Sequence, residues 1–88
     1  MLASERPAEF AQAVAHEIES HPRRGQGWTV STHTDENVLA SVEIVQDENL
    51  LASERGYSGC EYTDAAPREW ANVMVYHAHE ESCGALLN

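Results

Sequence analysis

Asp35–Ser53 reads "DENVLASVEIVQDENLLAS", so the words "DENVLAS" return twelve positions later, almost unchanged, as "DENLLAS". With its flanks the stretch is "WTVSTHT-DEN-VLASVEIVQ-DEN-LLASERG". Val, Thr, Leu and Ile favour extended chain, and Asp and Asn favour turns. Each "DEN" therefore predicts a hairpin loop between two strands. A three-residue loop is commonly a type I turn followed by a left-handed residue. Asn tolerates that conformation better than most residues, which assigns it to Asn37 and Asn49. The stretch predicts a three-stranded antiparallel meander.

Three-residue loops would set Thr34 opposite Val38 and Gln46 opposite Leu50. One face would then carry Trp28, Val30, Thr32, Val38, Ala40, Val42, Ile44, Leu50 and Ala52, a credible core. The other would carry Thr29, Ser31, His33, Leu39, Ser41, Glu43, Val45, Leu51, Ser53 and Arg55. It is mostly polar, as a half-solvated antiparallel sheet requires. A slip of one residue would exchange the faces.

Working outward, Phe10, Ala11, Val14, Ala15 and Ile18 recur at helical spacing ahead of the meander. Ser4 is a candidate cap and Pro7 suits a first turn. Pro22 and Gly25, in "HPRRGQG", end the helix. Beyond the meander, "GYSGCEYTDAAP" reads as loop, with Thr63 or Asp64 as cap and Pro67 near the start of a second helix. There Trp70, Val73, Met74 and His77 would share a face, and Gly84 would mark the stop. A fourth strand through "NVMVYHAH" is the rival. The predicted order is helix, three strands, helix: one α+β domain over residues 1–88, a two-layer sandwich. Double-stranded RNA-binding domains share that order, but they track phosphates with basic loops.

This chain has the opposite sign. Its 88 residues hold 15 acids and 5 basic residues, all arginine, for a formal net charge of −10. Such a balance argues against direct binding to nucleic acid or to an anionic membrane. A composition that is 42% hydrophobic suits a folded globule, and at this size about 60% of the unfolded surface is buried. "MLASERPAEF" has neither the basic start nor the apolar run of a signal peptide. No stretch reaches the roughly 20 apolar residues of a membrane span. Cys60 and Cys83 are expected as free thiols in a reducing, cytoplasmic setting.

Catalytic signatures are missing: no nucleophile motif, phosphate-binding loop or zinc-finger spacing is present. "YSGC" lacks the pattern of a nucleophile elbow and reads as loop. His77, His79 and Cys83, with Cys60, could form part of a zinc site, but their spacing matches no closed structural site. No metal or cofactor is expected. Acid–base catalysis needs partly desolvated carboxylates with separated pKa values, whereas turn-tip acids are solvated.

The acids cluster in the middle of the chain. Asp35, Glu36, Glu43, Asp47, Glu48, Glu54 and Glu61 are the candidate partner-binding residues, with Asp64 and Glu69 following and only Arg55 and Arg68 opposing. Successive meander turns lie at opposite ends of a sheet, about 25 Å apart at ~3.3 Å per residue. The acids would form a line of charge rather than a point site, with Glu43 facing outward and Glu54 inward. In size, acidity and lack of catalytic motifs, the chain resembles small phage-borne inhibitors of host defence, including anti-CRISPR proteins. That resemblance implies a non-enzymatic inhibitor acting as a nucleic-acid mimic in the host cytoplasm, against a basic, nucleic-acid-binding partner. The alternative is a soluble or halophilic housekeeping domain that homodimerises through its open sheet face.

Overall fold

The computed structural model describes residues 1–34, 40–55 and 60–87, with the side chains of Ser4 and of 83–87 excepted. Helix α1 spans Pro7–Glu19, strands β1, β2 and β3 span Thr29–Thr34, Ala40–Gln46 and Asn49–Arg55, and helix α2 spans Ala66–Leu87. The strands form one antiparallel sheet in the order β1-β2-β3. This is the predicted α+β arrangement. Helix α1 packs on β1 and β2, α2 packs on β3, and the helices pack on each other, so both cover one face of the sheet.

In α1, Pro7 takes the first helical position, where its missing N–H costs nothing. Arg6 is the N-cap and offers no side-chain hydrogen bond. Ser4, the expected cap, instead lies in a 3-10 turn over Ala3–Glu5. Glu5 Oε2 there accepts from the Leu2 N–H at 2.6 Å, so the turn is held from the carboxylate side. Phe10, Ala11, Val14, Ala15 and Ile18 are all buried, as their spacing predicts. Phe10, Val14 and Ile18, with Val42, Ile44 and Met74, are the largest fully buried side chains. Each such apolar side chain stabilises by about 1.5–3 kcal/mol.

The registers correct the predicted loops. Thr34 pairs with Ala40, not Val38. This is a shift of two residues, which leaves β1 and β2 side chains on their expected faces because the strand period is two. Asn37 and Val38 lie outside the described residues. Gln46 pairs with Asn49, not Leu50, so the second loop has two residues, Asp47 and Glu48. Both are left-handed, at φ 50° and 69°, and Asn49 is not. A two-residue loop with both φ positive matches the right-handed twist of the strands it joins, and that geometry prevails over the residue preference.

A bulge then corrects the register. Val45 pairs with Leu50 and Ile44 with Ala52, leaving Leu51 unpaired. The extra residue turns Leu51 into the core, 8% exposed, and Leu50 out, 53% exposed, which reverses their predicted faces. Beyond the bulge the expected pairs Glu43–Ser53 and Val42–Glu54 hold. Thr32, assigned to the core face, is exposed near the end of β1.

The last segment is helix, not strand, and it runs through Gly84 to Leu87. Thr63 Oγ1 accepts from the Ala66 N–H at 3.2 Å and caps its start. Its buried face is Ala66, Ala71, Met74, Val75 and Ala78. Val73 is 43% exposed and His77 is exposed, which corrects the predicted face. Small alanines let α2 approach α1 and the sheet more closely than a Trp70–His77 stripe would.

Candidate functional site

Among the described residues, no helix covers the second face of the sheet. Alternation from buried Val42 and Ile44 directs Ser41, Glu43 and Val45 onto this open side. Their cross-strand partners Ser31, His33 and Thr29 on β1, and Ser53, Arg55 and Leu50 on β3, share it. Glu43 is half-buried there, with Oε2 3.6 Å from His33 Nε2, an ion pair whenever the imidazole is protonated.

The structure separates the candidate acids. Glu43 lies on the open face. Asp47 and Glu48 stand side by side, exposed, at the tip of the β2–β3 turn, where Asn49 Nδ2 donates to the Asp47 carbonyl at 3.3 Å. Glu54, paired with inward-facing Val42, is half-buried on the helix side. Glu61 is exposed before α2, where it bridges to Leu2. Asp35 and Glu36 lie outside the described residues. The turn thus brings Asp47 and Glu48 together, while Glu43 and Glu54 face opposite ways, as the alternation predicted. No cation of the chain pairs with Asp47, Glu48, Glu54 or Glu61 among the described residues, whereas Glu9 and Glu17 hold Arg6 and Arg68 at 3.3 and 3.7 Å.

The suggested zinc ligands are dispersed into other contacts. Cys60 Sγ accepts from Trp70 Nε1–H at 3.1 Å. His79 Nε2 lies 2.6 Å from the Arg23 carbonyl, and His77 packs edge-on against Tyr76 with centroids 5.8 Å apart. The Cys83 side chain lies outside the described residues. Among the described residues, no three His, Cys, Asp or Glu side chains could hold a metal ion together. Among the described residues, no helix is long and apolar enough to cross a membrane.

Sequence reasoning missed a groove between the α1–β1 loop and α2. One cavity of about 260 Å³ is lined by His21, Arg23, Asn72, Val75, Tyr76 and His79. A neighbour of about 300 Å³ shares His21 and Asn72 and adds Glu17 and Arg68. His21 Nε2 meets Asn72 Oδ1 at 2.7 Å, and His21 Nδ1 accepts the Arg23 N–H at 3.0 Å. These side chains come from segments 51 and 56 residues apart, so no local spacing announces them.

No family model, no curated protein and no solved structure matches this chain.

Proposed function

We propose that the chain is a non-enzymatic inhibitor that blocks a basic, nucleic-acid-binding protein with its acidic surface, in the manner of the anti-CRISPR proteins it resembles. The observation that carries this reading is the β2–β3 turn. Two adjacent carboxylates, Asp47 and Glu48, are exposed there in left-handed backbone, with no cation beside them among the described residues. Asn-Gly would suit such a turn at lower conformational cost. A costly conformation at a solvated tip is a reason to look for a role in recognition. A formal charge of −10 would speed encounter with a cationic groove and orient the approach. The same charge would keep nucleic acid itself away.

Affinity capture tests this directly. Wild type is compared with a variant carrying Asp35→Asn, Glu36→Gln, Asp47→Asn and Glu48→Gln. Wild type should retain a basic nucleic-acid-handling protein that the variant loses, and retention should weaken with salt. Equal capture by both would sink the proposal. A second reading is favoured by Leu50, 53% exposed beside Val45 on the uncovered sheet face. There the chain would be a soluble housekeeping domain that homodimerises through that face. Sedimentation of wild type and Leu50→Ser separates the two, since only the second reading predicts a dimer that the substitution dissolves.

A further inference from the structure

The groove between the α1–β1 loop and α2 depends on one imidazole. A backbone N–H can only donate, so the Arg23 N–H bonded to His21 Nδ1 at 3.0 Å requires an unprotonated Nδ1. The ring proton must then be on Nε2, where it is donated to Asn72 Oδ1 at 2.7 Å. The neutral ring thereby ties the loop backbone to α2. His79 behaves differently. Its Nε2 faces the Arg23 carbonyl at 2.6 Å, and a carbonyl only accepts, so this bond exists in both protonation states of that ring. Arg23 is thus held through its N–H by a group that protonation converts from acceptor to donor, and through its C=O by one that protonation leaves a donor.

We propose that His21 is a proton-operated latch: it closes the α1–β1 loop onto α2 while Nδ1 is bare, and protonation releases the Arg23 end and remodels the groove. Histidine is the side chain whose charge ordinarily changes between pH 5 and 8. Charged and titratable groups stand around His21 from every element packed against it: Glu17 from α1, Arg23 and Arg24 from the loop, the latter donating its backbone N–H to the His21 carbonyl at 3.1 Å, and Arg68, Tyr76 and His79 from α2. The sign follows from the hydrogen bond. The latched state binds no proton at Nδ1 and the released state does, so the latch is present at higher pH and lost as pH falls.

Release would be felt at Trp28. Arg24 Nη2 donates to the Trp28 carbonyl at 2.8 Å, and the Trp28 ring packs against His79 with centroids 4.8 Å apart. A rearranged Arg23–Arg24 pair therefore changes the surroundings of a core indole.

The test is NMR of the full chain from pH 8 to 5. The Arg23 amide and the Trp28 indole should titrate with the midpoint of the His21 ring. Exchange of the Arg23 amide, corrected for its intrinsic pH dependence, should rise about fivefold, the order of one lost hydrogen bond. In His21→Asn, Oδ1 can accept from Arg23 without titrating, so the Arg23 response should vanish, whereas in His79→Gln it should persist. The proposal is overturned if the Arg23 amide stays constant while the His21 ring titrates in wild type, or if His21→Asn responds to pH as wild type does.

Discussion

Glu48 occupies left-handed backbone at φ 69°, next to Asp47 at φ 50°. For an L-residue with a long side chain that conformation costs about 1–2 kcal/mol. Glycine relieves it but gives back roughly 0.5–1 kcal/mol of backbone entropy. Glu48→Gly should therefore raise stability by about 0.5–1 kcal/mol, seen as a higher urea midpoint at unchanged slope. It should also weaken binding if the turn meets a basic partner. Gly25 is the opposite case. A Cβ there would stand 2.5 Å from Trp28 Cε2, inside the indole. Gly25→Ala should cost about 1–3 kcal/mol, measured in the same urea experiment. At this scale the second "DEN", at 47–49, revealed where the chain turns but not how. The same three residues suit several loops, and strand twist together with the Leu51 bulge chooses among them.

The two helices differ in how openly they display their buried side. In α1 the large apolar residues Phe10, Val14 and Ile18 form one stripe with Ala11 and Ala15, while the off-stripe Ala8 and Ala13 are exposed and half-buried, so the five assigned positions are all buried. In α2, Trp70, Val73, Met74, Val75 and Tyr76 surround the helix, and large apolar residues outvote alanine in a periodicity reading. The packed side is decided by Ala71 and Ala78, which have no bulk to hold the neighbours off. Val73→Glu should then change stability by less than about 0.5 kcal/mol, as surface substitutions do. Met74→Ala should cost about 2–5 kcal/mol. Thermal melts of the pair check the assignment, and equal losses would restore the stripe through Val73.

Charge and pH belong to the whole molecule. With a formal charge of −10, self-repulsion disfavours the compact state, so added sodium chloride should raise the melting temperature while weakening capture of a basic partner. Tyr62 packs edge-on to Phe10 at 4.9 Å, and burial, assisted by Glu9 and Asp64, raises its pKa above the usual 10.0, with Arg6 opposing. The folded chain then holds the phenolic proton more tightly than the unfolded one. Tyr62 contributes stability in full below pH 10, and that contribution is lost as pH rises through the folded pKa. Tyr62→Phe should flatten the alkaline limb of the stability profile. The acidity behind the proposed role was legible in composition alone. The groove was not, because His21 and Asn72 meet only after both helices have docked.

The first residues of the chain have a consequence in time. Ala3 N–H donates to the Cys60 carbonyl and Tyr62 N–H to the Met1 carbonyl, both at 2.8 Å, so Met1–Ala3 and Cys60–Tyr62 fasten together. The β2–β3 hairpin closes across two residues, whereas this fastening must wait for some sixty residues to be gathered first. Loop-closure entropy makes it a late event in folding. By the same reasoning it is an early one in unfolding. Trimming Met1–Ala3 should speed unfolding while leaving the folding rate nearly unchanged, so a chain shortened at its start would be born at the normal pace and die sooner.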